Sequence, residues 1–150
     1  MTQQPHWTHA GKDLPWLRGQ GFHVAAEGTE RVVFEALVAH DFTVTDACTT
    51  SVDLDARFGK LAESLRLPDT AHNNLDAMSD SLRDLPERWK ETSRLALLWS
   101  GVEPLLYADL LAFTQLGAML TEANSSLWID RTFVLETVAF VGPPFHADRP

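Results

Sequence analysis

The chain has 150 residues, 45% of them hydrophobic, with 21 acidic and 12 basic side chains and a net charge of -9. This hydrophobic fraction is enough for a packed core and excludes a disordered chain. The acidic balance argues against direct binding of nucleic acid, because affinity for phosphates comes from Lys and Arg. It is compatible with a basic partner, although acidic charge also serves simply to keep a protein soluble.

Features that report on compartment and cofactors point to a cytoplasmic protein. Cys48 is the single cysteine, so no internal disulfide can form, and a buried or half-buried thiol is expected rather than a reactive one. No apolar run reaches the roughly 18 residues of a membrane span, and residues 1–9 do not resemble a signal peptide. The histidines show no metal-ligand spacing, so we predict no metal and no cofactor.

The first part of the chain predicts a strand, a helix and a second strand. Residues 1–20 are expected to be irregular, because Pro and Gly interrupt them. Residues 21–25 predict a short strand, and Thr29 is placed to cap a helix behind it. The β-branched and aromatic residues 42–45 predict the next strand. This order in so short a space predicts a parallel βαβ unit.

Two further helices are predicted from apolar spacing. Asp53 is the expected cap of a helix that carries a core stripe from Leu54 to Leu65 and ends before Pro68. Asn73 or Asn74 is the expected cap of the following helix, which runs to about Leu82.

The last part of the chain predicts two strands around a long helix. Residues 94–99 are almost continuously apolar, which is typical of a strand buried on both faces. A helix is expected from Pro104 to about Asn124, and residues 133–141 predict a final strand. The alternation indicates an α/β fold with a small, mainly parallel sheet of three to four strands packed with helices.

The helix before Leu82 carries an unusual pair of acids. Its apolar face consists of Leu75, Met78 and Leu82, and its opposite face of Asp76, Ser79, Asp80 and Arg83. Like charges one turn apart cost a few tenths of a kcal/mol, and Asp is a poor helix former. The pair therefore indicates either a surface for a cationic partner or an ordinary solvated face.

The same segment resembles the signature of the barstar family of intracellular ribonuclease inhibitors. The resemblance rests on Leu67-Pro68-Asp69, Asn74-Leu75-Asp76-Ala77, Asp80 and Leu82, which match the family spacing without a gap. Residues 21–40 resemble the extra strand and helix of longer family members. The expected division is an irregular segment (1–20), an extension (21–41), a barstar-like domain (42–142) and a tail (143–150).

The resemblance implies roles for individual residues. Asp76 and Asp80 match the two aspartates that enter the nuclease active site, and Glu122 best matches a contributing glutamate near the end of the long helix. A carboxylate in a last helical turn opposes the helix dipole, which supports the match; Glu122 can equally be an unremarkable surface acid. The remaining residues expected at the partner surface are Thr70, His72, Asn73, Ser79 and Arg83.

The chain also departs from the family pattern. The family aromatics are replaced by Thr70, Ala71 and Ser79, and the family glycine by His72. The stretch from Arg83 to Ser93 is about five residues longer than the short form of the family. Its Trp89 either replaces a lost aromatic anchor or covers the edge of the core.

The expected function is therefore inhibition, not catalysis: an acidic helix blocks a small basic ribonuclease and protects the producing cell. One alternative is an immunity or adaptor protein of the same fold with another toxin or a non-ribonuclease partner. Another is a carboxylate-dependent hydrolase using Asp76 and Asp80 with His72 nearby, which requires a deep pocket holding both carboxylates. Self-association through the apolar residues near Trp7 and Trp16 is left open.

Overall fold

A four-stranded parallel sheet organises the chain. The computed structural model describes residues 14, 17, 21–50, 53, 56–72 and 74–142. The strands are β1 (Phe22–Ala26), β2 (Thr43–Cys48), β3 (Arg94–Ser100) and β4 (Val134–Val141), in the spatial order β1-β4-β3-β2. All three pairings are parallel, so the predicted α/β class is confirmed.

Helices cover both faces of this sheet. They are α1 (Glu30–Ala39), α2 (Arg57–Ser64), α3 (Leu75–Leu82), α4 (Leu85–Arg88), α5 (Glu103–Ala108) and α6 (Leu110–Arg131), with a 3-10 turn at Asp69–His72. One core cluster joins the sheet to α2–α6, and a second joins it to α1 and to Leu14 and Leu17. Side chains alternate along β3, with Leu95 and Leu97 in the first cluster and Ala96 and Leu98 in the second. This two-sided burial explains the continuous apolar run.

The first two strands lie at opposite edges of the sheet. Phe22 of β1 is opposite Thr137 of β4, and Thr43 of β2 is opposite Leu95 of β3. The predicted parallel direction of β1 and β2 is therefore confirmed, but β4 and β3 separate them. The physical reason is burial, because the two most apolar strands occupy the centre, where both faces are covered.

Two predicted helix caps are wrong. The Thr29 hydroxyl donates to the carbonyl of Ala26 at 2.6 Å and caps no α1 amide, because a tight turn with Gly28 at φ +96° leads into the helix. Asp53 does not cap α2, which is preceded by Ala56; the Asp53 carbonyl accepts from the Ala56 amide at 2.9 Å. Leu54 lies outside the described residues.

The long helix ends seven residues later than Asn124, at Arg131, and a separate helix precedes it. Asp109 divides the two and caps α6 by accepting a hydrogen bond from the Ala112 amide at 3.0 Å. The predicted end near Asn124 is therefore wrong. Asn124 is instead buried, and its Oδ1 accepts from the Leu135 amide at 2.9 Å, so a tertiary contact outweighs helix propensity.

A buried polar pair joins β1 to the rest of the sheet. His23 Nε2 lies 2.7 Å from Glu136 Oε2, and the two side chains are 5% and 1% exposed. The Gly21 amide also donates to Glu136 Oε2, at 3.3 Å. The charge pattern of the sequence did not draw attention to this acid, which stands in the middle of an apolar strand.

Candidate partner-binding surface

Helix α3 is fixed at its start and along its inner face. Asn74 precedes it with extended backbone, and its Oδ1 accepts a hydrogen bond from the Ala77 amide at 2.8 Å. This confirms one of the two predicted caps; the other, Asn73, lies outside the described residues. Met78 and Leu82 are buried in the core, as the apolar spacing predicted. The helix therefore presents a fixed outer face.

That outer face carries two carboxylates, which form no ion pair with the described residues of the chain. Asp76, Ser79, Asp80 and Arg83 are all exposed. Among the residues that the structure describes, neither Asp76 nor Asp80 has a side-chain hydrogen bond or an ion pair. Both carboxylates are therefore available to a group outside the chain.

A cleft between α3 and α6 brings Glu122 to this face. It has a volume of about 220 Å³ and is lined by Ser79, Leu82, Arg83, Glu122, Ala123, Ser126, Leu127, Asp130 and Arg131. Glu122 is exposed and sits in the middle of α6 rather than in its last turn. The argument from an opposed helix dipole is therefore wrong, whereas the expected proximity of Glu122 to α3 is observed.

A comparison with protein-family models matches residues 42–139 to the family described as Barstar (barnase inhibitor). The chain belongs to the barstar family. Comparisons with curated proteins and with solved structures found no match. The family match begins just before β2, so β1 and α1 lie outside the matched span, while β2, β3 and most of β4 lie within it.

Three polar residues of the cleft in this barstar-family chain were not predicted: Ser126, Asp130 and Arg131. Ser126 and Asp130 follow Glu122 at steps of four residues, and so lie along one side of a continuous helix. Extending the helical spacing past Asn124 identifies them. Arg131 forms an ion pair with Glu87 of α4. In this ion pair Arg131 donates a hydrogen bond to Glu87, which lowers the pKa of Glu87 and raises the pKa of Arg131.

The 3-10 turn contains Thr70 and Ala71, two of the three positions at which the chain departs from the expected aromatic pattern. Thr70 and His72 are exposed, as a partner contact requires, whereas Ala71 is fully buried. The His72 ring lies against Gly59 of α2. A Cβ atom at position 59 would be in van der Waals contact with the ring, 3.4 Å from its Nδ1. This turn therefore offers a partner polar groups and no Phe, Tyr or Trp side chain.

Trp89 does not replace these aromatics, because it belongs to the core. Its side chain is buried, and its Nε1 donates to the Leu65 carbonyl at 2.9 Å. The guanidinium carbon of Arg66 lies 3.6 Å from the centre of its ring, in a cation–π contact. Of the two roles considered for Trp89, the structure supports covering the core, and its assignment to the partner surface is withdrawn.

Cys48, at the end of β2, is exposed, contrary to the expectation of a buried or half-buried thiol. A hydrogen bond from the Thr50 backbone is the largest of several contacts that lower its pKa.

Among the described residues, no His, Cys, Asp or Glu side chains are grouped to hold a metal ion. No helix in that part of the chain is long and apolar enough to cross a membrane.

Proposed function

We propose that this chain inhibits a small basic ribonuclease by covering its active site with the outer face of α3 and the adjoining cleft. The observation that carries the proposal is a set of three exposed carboxylates, Asp76, Asp80 and Glu122, on one surface. In the described part of the chain none of the three has an ion pair. Membership of the barstar family supports the same assignment.

The mechanism requires position rather than chemistry. A ribonuclease active site holds Arg, Lys and His to bind phosphates, and carboxylates on a fixed helix can occupy the same positions. Ser79 and Arg83 lie between the acids of α3 and Glu122 and can donate hydrogen bonds around them. Complementary charge speeds the encounter, so association should slow as salt is added.

The arrangement gives less support to a hydrolase. A catalytic pair is expected to face a shared pocket, and the α3–α6 cleft is lined by Ser79, Arg83 and Glu122 rather than by Asp76 or Asp80. A second candidate keeps the fold but changes the partner, as an immunity or adaptor protein. It is favoured by Thr70 and Ala71 in the 3-10 turn and by the burial of Trp89, which leave no Phe, Tyr or Trp side chain exposed at these positions for a nuclease.

The proposal extends to organisation and setting. Residues 21–41 form an extension that adds β1 and α1 to the sheet of the inhibitor domain at 42–142. The protein acts in the cytoplasm of the cell that makes the nuclease, where it protects that cell's own RNA.

The test is titration of purified protein against a panel of small basic microbial ribonucleases, followed by RNA cleavage at low and moderate salt. Wild type should inhibit a panel member stoichiometrically, and more weakly as salt rises. Asp80→Ala should weaken inhibition by at least about tenfold, because the nuclease cation it meets is left buried and unpaired.

Glu35→Ala is the matched control, since it removes the same charge from α1 on the opposite face of the sheet. It should leave inhibition unchanged, and circular dichroism should show both variants folded. Wild-type affinity in Asp80→Ala contradicts the role of Asp80. Failure of the wild type to inhibit any nuclease favours the second candidate.

A further inference from the structure

The C-terminal half of α6 carries exposed apolar side chains beside the acidic surface. Ile129 is 75% exposed and Trp128 is 50% exposed. Large apolar residues scattered singly over a surface need no explanation. Ile129 differs because it stands in residues 122–131, the segment of α6 that lines the cleft with α3, on the side of the helix that carries Glu122.

Helical geometry places Ile129 in line with Glu122. Seven residues separate them, which is close to two turns, so both side chains point the same way about 10 Å apart along the axis. Ser126 lies between them, and Asp130 lies toward α3. Ile129 is therefore an exposed apolar side chain next to the acidic side chains of α6.

The end of α6 is held in place, so this position is defined. Leu127 is buried in the core, and Thr132, at φ +51°, ends the helix. The Phe133 amide donates to the Leu127 carbonyl at 3.1 Å. The ion pair between Arg131 and Glu87 ties the last turn to α4. The backbone at Ile129 therefore needs no ordering when a partner covers its side chain.

Among the residues that the structure describes, α3 carries no large exposed apolar side chain of the kind that tight complexes use. Binding energy concentrates in a few well-packed side chains at the centre of an interface, ringed by polar groups. Ser79 and Thr70 are polar, and Ala71 and Trp89 are buried. The acids supply attraction for a basic protein, but the face of α3 offers little apolar area for it to cover.

We propose that Ile129 is the apolar anchor of this surface, and that it enters a hydrophobic depression beside the cationic active site of the basic ribonuclease. This inference rests on the proposed function and names where its target is recognised. Glu122 lies two turns before Ile129 on the same side of α6 and Asp130 is the next residue, so their charge favours a basic surface around the depression. The contact replaces the aromatic contacts that Thr70, Ala71 and Ser79 cannot make.

The test uses the ribonuclease panel with full-length Ile129→Ser and Leu111→Ser. Leu111 is a matched control, because it is 68% exposed and on the same side of α6, about 16 Å from Glu122 toward the start of the helix. Ile129→Ser should weaken inhibition about tenfold, the loss expected when a buried Ile contact is removed. Leu111→Ser should change it less than twofold.

Salt dependence separates the apolar contact from the charged ones. Ile129→Ser should leave the salt dependence of affinity as in the wild type, whereas Asp80→Ala should make it shallower. Ile129→Lys should weaken inhibition further than Ile129→Ser, since it adds a cation against a basic surface. Thermal unfolding should match the wild type in all three helix α6 variants.

The outcomes distinguish this inference from the function on which it rests. Full inhibition by Ile129→Ser together with loss in Asp80→Ala overturns only the anchor. Equal weakening by Ile129→Ser and Leu111→Ser also overturns it. Failure of the wild type to inhibit any panel member overturns the function and the anchor together.

Discussion

Carboxylates stand in two opposite environments in this protein. Glu136 is 1% exposed in β4; its Oε2 lies 2.7 Å from His23 Nε2 and accepts a hydrogen bond from the Gly21 amide. Asp76 and Asp80 are exposed on α3 and have no ion-pair partner in the described part of the chain. A carboxylate that is buried and paired with groups of its own chain belongs to the fold. One that is exposed and has no such pairing is available to another molecule.

The buried pair also joins two segments with different relations to the family. Glu136 lies within the span that matches the barstar model, whereas His23 lies before it. The pair therefore links β1, which that match does not cover, to an edge of the family sheet. A buried polar group is costly without a partner. Glu136 therefore favours the pairing of β1 with β4 in the register that brings His23 next to it.

The largest expected effect comes from breaking the buried pair. His23→Ala leaves the Glu136 carboxylate without its closest partner in the core. The free energy of unfolding should fall by about 1–3 kcal/mol, the cost of leaving a buried polar group without its hydrogen-bond partner. Urea denaturation followed by fluorescence measures this directly.

An exposed ion pair provides the control for that measurement. Arg31 and Glu35 lie 3.1 Å apart on α1 with side chains 89% and 63% exposed. Arg31→Ala should cost less than about 0.5 kcal/mol, because water screens such pairs. If His23→Ala and Arg31→Ala lowered the free energy of unfolding equally, burial would not explain the contribution of the Glu136 carboxylate to stability.

Much of the fold is predictable because it depends on local sequence. Helix α3 begins after Asn74 and buries Met78 and Leu82, and both features follow from residue types and spacing. The order of the strands is set by contacts far apart in sequence, so the two intervening strands between β1 and β2 could not be predicted. The end of α6 was missed for the same reason, since Asn124 is stabilised by the Leu135 amide.

The candidate site divides in the same way. Helical spacing alone placed Asp76, Ser79, Asp80 and Arg83 on one face, and the structure places them there. Asp130 and Ile129 were missed because the predicted helix stopped short of them. Trp89 could not be assigned from sequence, because the Leu65 carbonyl that accepts its N–H comes from a separate helix end.

A smaller effect is expected from the cap of the acidic helix. Asn74→Ala removes the acceptor for the Ala77 amide and should lower the free energy of unfolding by about 1 kcal/mol. Asn74→Ser keeps an acceptor and should remain near the wild type. Inhibition by folded Asn74→Ala should persist, because Met78 and Leu82 still hold α3 in the core. Loss of inhibition at unchanged stability would place Asn74 in the interface itself.

The smallest effect has the opposite sign and separates the two kinds of carboxylate most sharply. Asp80→Asn removes the repulsion with Asp76 one turn away, so the protein should become more stable by about 0.2–0.5 kcal/mol at low salt. Asp76→Asn relieves the same repulsion but also loses a favourable interaction with the start of the helix, so its net change should be smaller.

Salt should abolish the gain in Asp80→Asn, because the interaction is between exposed charges. The same variant should weaken ribonuclease inhibition, since the amide cannot replace the lost charge. A residue that lowers stability and raises affinity is one retained for a partner. If Asp80→Asn instead destabilises the protein, the fold itself uses this carboxylate, and the contrast with Glu136 disappears.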